Sequence, residues 1–102
     1  MKGYTVLVAD NGEAGVALFN THKDAIQLVL SDQGLPKLNG VEVFKEIRKT
    51  RPRIAFILLT GYIEPGLKFE LLKQGVFEII MKPYKSTDLL LKTREALDQS
   101  KA

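Results

Sequence analysis

A chain of 102 residues, 45% of them apolar and 26% charged, is sized for one globular domain around a single core. It has no cysteine, which excludes disulfides, thiol chemistry and cysteine metal sites and fits a reducing cytoplasm. A net charge of +3 is too mild to imply nucleic acid. Neither a membrane-length apolar run nor a signal-peptide profile at Met1–Lys2–Gly3–Tyr4 is present.

In chain order, Tyr4 to Ala9 is β-branched and apolar and reads as a buried strand. Asp10–Asn11–Gly12 closes it, with Asp10 a turn residue and Asn11 the N-cap of a helix through about His22. Ala14, Ala17, Leu18 and Thr21 give that helix an apolar stripe, and His22 is expected at its exposed end. Ile26 to Ser31 is a second strand; it breaks at Asp32 into the loop Gln33 to Gly40, where Gly34 and Gly40 serve backbone geometry. Asn39–Gly40 opens a helix with Val41, Phe44 and Ile47 at helical spacing, which Pro52 stops. Lys45, Arg48, Lys49, Arg51 and Arg53 cluster at its end, where cations complement the macrodipole.

Ala55 to Leu59 is the third strand and ends in Thr60; a loop at Gly61 and Pro65–Gly66 leads to a helix from Leu67 to Gln74, ended by Gly75. Glu78 to Met81 is a short fourth strand ending in Lys82–Pro83, and Ser86 is expected to cap a last helix with Asp88 in its first turn. Phe19, Phe44, Phe56 and the leucines of the last helix are core candidates. The order β-α-β-α-β-α-β-α implies a parallel sheet with right-handed crossovers. A carboxylate (Asp32), a hydroxyl (Thr60) and an ammonium (Lys82) then stand at the carboxyl ends of three successive strands. That edge is where ligands bind in open α/β sheets. The three groups suit phosphoryl transfer as nucleophile, hydrogen-bond donor and charge neutraliser.

Leu28–Val29–Leu30–Ser31–Asp32, Leu35–Pro36–Lys37–Leu38–Asn39–Gly40, Leu58–Leu59–Thr60–Gly61 and Met81–Lys82–Pro83–Tyr84 together resemble a response-regulator receiver domain across essentially the whole chain. The resemblance implies a flavodoxin-like (CheY-like) fold. It also implies phosphoryl acceptance on Asp32 from a sensor histidine kinase or phosphotransfer protein, with Thr60 the switch hydroxyl, Lys82 the contact to phosphoryl oxygens and Lys82–Pro83 a cis peptide.

Two departures qualify it. The family's first strand ends in an acidic pair that holds magnesium with the acceptor aspartate, and nothing of that kind precedes Tyr4; residues 1–102 read as a receiver-like domain that starts at the family's second strand. Asp32 and the carbonyl of Gly34 remain as family-type ligands, so magnesium binding is expected to be weak and phosphorylation slow or absent. The family strand order 2-1-3-4-5 then leaves an interior gap, closed by sliding the first strand against that of Asp32 or by borrowing from another molecule. Part of one sheet face loses its cover, so self-association, as a dimer or by element exchange, is expected. The second departure is Ile79, which stands three residues before Lys82 where many receivers carry an aromatic, Phe77 being displaced by two positions. Alternatives are a phosphorylation-independent interaction module or a fragment of a hybrid sensor kinase. A haloacid-dehalogenase-like phosphatase wants a second aspartate where Gly34 stands.

Overall fold

The computed structural model describes residues 5–9, 11–34 and 38–101; the expectations for Tyr4, Asp10 and Leu35–Pro36–Lys37 fall outside these. The elements alternate as β1 (Val6–Ala9), α1 (Gly12–His22), β2 (Leu28–Asp32), α2 (Gly40–Thr50), β3 (Ala55–Thr60), α3 (Pro65–Gln74), β4 (Glu78–Met81) and α4 (Ser86–Lys101). The turn chemistry sets most of these limits. Asn11 Oδ1 accepts the Ala14 N–H at 3.1 Å, and Asn39 and Glu42 form a reciprocal capping box at the start of α2. Gly75 takes a φ of +119° at the end of α3, a left-handed conformation that only glycine adopts cheaply. Ser86 is not the cap it was expected to be. It is the first helical residue, because the Leu89 N–H bonds the Lys85 carbonyl at 3.1 Å and makes Lys85 the flanking position.

All strands are parallel and lie in the order β1-β2-β3-β4. Of the two ways to close the interior gap, the chain takes the first: β1 pairs directly with β2, Val6 beside Leu28 through Ala9 beside Ser31. Three crossovers in one direction, each right-handed, place α1, α2 and α3 on the same face. Phe19, Val43, Phe44, Ile47 and Leu71 from those helices share a core with Val29, Phe56, Leu58 and Ile79 of the sheet. Phe44 and Phe56 meet edge-on at 5.1 Å between ring centroids.

On the opposite face α4 stands alone among the described residues. Its Ala96 and Leu97 cover Leu28, Leu30, Ala55, Ile57, Leu59 and Ile80. The cover thins at β1: Val6 packs against this cluster, but Val8 is 65% exposed, and on α4 itself Leu90 is 57% exposed. The leucines of the last helix therefore divide, with Leu97 buried, Leu89 half-buried and Leu90 and Leu91 in solvent.

The stripe read on α1 is also corrected. Ala14, Ala17, Leu18 and Thr21 face solvent, and the buried residues are Gly12, Gly15 and Phe19. From Ala14 to Phe19 the helix is apolar or small on every side, so periodicity alone does not choose a face. The ring of Phe19 has the most area to bury and decides it. Gly12 lets α1 approach Leu38, whose carbonyl a Cβ at Gly12 would strike.

Gly40 is a second close approach and bears on the site. A Cβ there would collide with the Leu58 side chain and come within 2.9 Å of the Asp32 carbonyl oxygen. Gly40→Ala is expected to destabilise the fold by about 1–3 kcal/mol through overpacking. The check is a lowered urea midpoint at unchanged slope.

Candidate functional site

Asp32, Thr60 and Lys82 are delivered by strand register. Asp32 is paired beside Leu59, and Thr60 beside Met81, so the three strands end within a residue of each other at one edge of the sheet. Backbone bonds carry the alignment past the last paired residues. The Gln33 N–H donates to the Leu59 carbonyl at 2.8 Å and the Lys82 N–H to the Thr60 carbonyl at 2.7 Å. The Lys82–Pro83 peptide is cis, as expected.

The structure brings Asp32 and Lys82 into direct contact: the ammonium donates to Oδ2 of the carboxylate. Oδ1 accepts the Gly34 N–H at 2.9 Å in an Asx-turn. The Gly34 N–H is thus the backbone group that engages the carboxylate. Thr60 is buried at the third strand end, and the hydrogen bonds of its hydroxyl run to Tyr62 and not to Asp32. Its hydroxyl donates to the Tyr62 carbonyl at 2.7 Å and accepts the Tyr62 N–H at 3.3 Å. The Tyr62 backbone thus engages the hydroxyl as both donor and acceptor, a role the sequence reading missed. The available signal was Thr60–Gly61–Tyr62 itself, a hydroxyl residue opening a turn.

Gln33 was also overlooked. Its side-chain Oε1 accepts the Val41 N–H at 2.9 Å, and its carbonyl accepts the Gly40 N–H at 3.3 Å. One residue after Asp32 therefore satisfies two of the unpaired donors at the start of α2 and fixes that helix against the loop. Ile79 lies buried in the core beneath α3, and Phe77 packs on the other face beneath α4. The position three residues before Lys82 thus holds a buried aliphatic side chain, Ile79.

As a magnesium site the donor set fits poorly. Both Asp32 oxygens already accept hydrogen bonds, one from an ammonium. No group of three or more His, Asp or Glu side chains converges among the described residues. Among the described residues, a hard divalent ion that prefers octahedral oxygen ligation finds one carboxylate there, that of Asp32.

The Lys82 hydrogen bond holds the Asp32 carboxyl below its ordinary range; burial opposes this, while the Gly34 N–H and the Lys82 charge reinforce the lowering. With a folded pKa below the unfolded value of about 3.9, the group adds stability above that pH and loses it as pH falls through the folded pKa. Lys82→Met is expected to raise the Asp32 carboxyl toward its ordinary value, read by carboxyl-carbon NMR titration. It should also remove that part of the acid destabilisation below about pH 4.

Comparison with known proteins agrees with this geometry. The family described as the response regulator receiver domain matches residues 1–94. The transcriptional regulatory protein GlrR of Escherichia coli is 32% identical over 97% of the chain, and the chain spans 22% of that protein. The sensor kinase CckA of Brucella abortus is 30% identical over 96% of the chain, which spans 10% of its length. Among solved structures, a response regulator receiver domain protein from Clostridium thermocellum superposes with a TM-score of 0.85 at 32% identity, over 97% of this chain and 79% of that one. A CheY-like receiver domain protein from Methanospirillum hungatei gives 0.81 at 33% identity, over 98% and 78%. The curated relatives are thus several times longer than the stretch they share with the chain. With its parallel sheet, its three polar strand ends and these matches, the chain belongs to the response regulator receiver domain family, the phosphoacceptor modules of two-component signal transduction.

Proposed function

We propose that the chain accepts a phosphoryl group on Asp32 from a phosphohistidine of a sensor kinase or phosphotransfer protein and signals to a partner by conformation. The single observation that carries this reading is the Asp32–Lys82 ion pair at the aligned ends of β2 and β4, with Thr60 between them on β3. In the transfer the P–N bond to imidazole breaks as a P–O bond to the Asp32 carboxylate forms. Such chemistry asks for alignment and charge neutralisation more than for covalent help. Lys82 follows the negative charge from carboxylate to phosphoryl oxygens. Thr60 gives up the Tyr62 carbonyl to donate to the phosphoryl group, drawing its loop inward. The chain acts as a phosphoacceptor and not as an enzyme with turnover.

The reaction in this chain is slow. Asp32 is already neutralised by Lys82, and Asp32 with the Gly34 carbonyl makes a weak magnesium site. A second reading, an interaction module that works without phosphorylation, draws on the same ion pair, which satisfies the carboxylate unaided. Protein partners in the cytoplasm suit the surface better than nucleic acid or membrane. Three of the five basic residues at the end of α2 are engaged within the molecule: Arg51 donates to the Lys23 and Ile26 carbonyls, Arg48 lies 5.4 Å from the Phe44 ring, and Lys49 pairs with Glu46 at 3.0 Å. No helix of the described residues is long and apolar enough to cross a membrane. Self-association belongs to the reading too, supported by the uncovered Val8 and Leu90.

Incubation with acetyl phosphate is expected to label the chain slowly, as an acyl phosphate that hydroxylamine removes and Asp32→Asn abolishes. Label that survives Asp32→Asn would assign acceptance elsewhere. Magnesium followed by the Gly34 amide resonance is expected not to saturate over the millimolar range. Rapid, magnesium-dependent labelling would overturn the impairment. Partner binding that is identical for wild type, phosphorylated chain and Asp32→Asn would favour the second reading.

A further inference from the structure

The sheet has two edges, and they are built differently. At β4 the edge is charged: Glu78 begins the strand and bridges to Lys92 of α4 at 3.4 Å, and the strand runs directly into Lys82–Pro83. Charge and proline at an edge are the ordinary guards against pairing with another chain. β1 has neither. It reads Val6–Leu7–Val8–Ala9, without charge, proline or a break in its register.

Its backbone orientation follows from one pair of bonds. The Thr5 N–H donates to the Gln27 side chain at 2.6 Å, and the Thr5 carbonyl accepts the Gln27 N–H at 2.9 Å, so both groups of Thr5 point toward β2. Direction alternates along a strand, and the N–H and carbonyl of one residue point the same way. Leu7 and Ala9 therefore address β2, while Val6 and Val8 present their N–H and carbonyl groups outward.

We propose that this edge is a self-association surface on which a second copy of the chain pairs antiparallel about a two-fold axis through Leu7. The inference rests on the self-association read above and names its face and register. Self-complementarity selects the occupant. Reversing β1 on itself about Leu7 sets Val6 opposite Val8 of the second copy, and the reverse. Those are the residues whose outward groups can exchange both hydrogen bonds, and Leu7 faces its own equivalent in the non-bonded central pair. Any other axis position wastes outward groups on a strand this short.

The same register treats the two faces consistently. Val6 packs against the core on the α4 side and Val8, two residues on, shares that side, so the exposed Val8 is covered by Val6 of the other copy. On the α1 side, a cavity of about 150 Å³ lined by Thr5, Val6, Leu7, Leu18, His22 and Ile26 borders the edge. It is closed when the second α1 comes alongside. An isologous contact of this kind ends at two copies and makes the sheet continuous through the dimer.

Sedimentation equilibrium of the full chain from micromolar to submillimolar concentration tests the proposal. The apparent mass is expected to rise to that of a dimer. Val8→Lys puts a charge on an already exposed position, and Val8→Pro removes an outward N–H that β2 does not use; each should weaken association at least about tenfold while circular dichroism stays native. Phe69→Lys, on the separate exposed face of α3, should leave the dimer intact.

Cysteine pairs read the register without competition, because the chain has no native thiol. A mixture of Val6→Cys and Val8→Cys chains should cross-link, since hydrogen-bonded antiparallel partners stand about 5.5 Å apart between Cα atoms. Either variant alone should not, being two residues out of step and beyond about 7 Å. A monomer at every concentration overturns both the self-association and this face. A dimer that survives both Val8 variants, or that Phe69→Lys dissociates, overturns the β1 edge and leaves self-association standing through another surface.

Discussion

Asp32 beside Leu59 and Thr60 beside Met81 are statements about backbone register, yet the chemistry of the molecule follows from them. In a parallel sheet every strand arrives at the same edge with the same polarity, so three strands of similar length place their last side chains together without any loop having to reach. Slipping β2 by one residue would turn Asp32 away from that edge and send Val29 from one core to the other, because strand side chains alternate with period two. Burial on both faces makes such a slip costly, and that cost holds the carboxylate, hydroxyl and ammonium in place.

At the edge itself the electrostatics are already closed. A carboxylate that accepts from an ammonium and a backbone N–H is stabilised in its charged form. The same pairing occupies both of its oxygens. Thr60 is similarly occupied with Tyr62. Each polar side chain of the trio therefore has a local partner within the folded chain.

The two faces of the sheet are covered unequally, for a topological reason. When successive strands are added in one direction, right-handed crossovers send every connecting helix to one side. Three helices protect that side, while the other relies on α4 after the last strand. A helix about 10 Å wide cannot shield strands spaced about 4.8 Å apart across the whole sheet. The shortfall emerges at β1, farthest from where α4 is tethered, and Val8 marks it.

The composition and local pattern of the chain determined a good deal unaided. Runs such as Ile26 to Ser31 are too short and apolar to be anything but buried strands, and Asn11, Asn39, Pro52 and Gly75 punctuate the helices by chemistry that acts within a few residues. The alternation of elements carried the parallel sheet, and with it the gathering of Asp32, Thr60 and Lys82 at one edge. What depends on distant parts of the chain was settled only by tertiary structure. Which side of α1 is buried hinged on where Phe19 could find a core, and whether Leu90 is covered hinged on how far α4 reaches across the sheet. That β1 closes directly on β2, and that the Tyr62 backbone takes up the Thr60 hydroxyl, are likewise outcomes of packing. Local sequence encodes the elements and the order in which they meet; the contacts between elements are set by competition for buried area and hydrogen-bond partners, and that competition is decided by the folded chain as a whole.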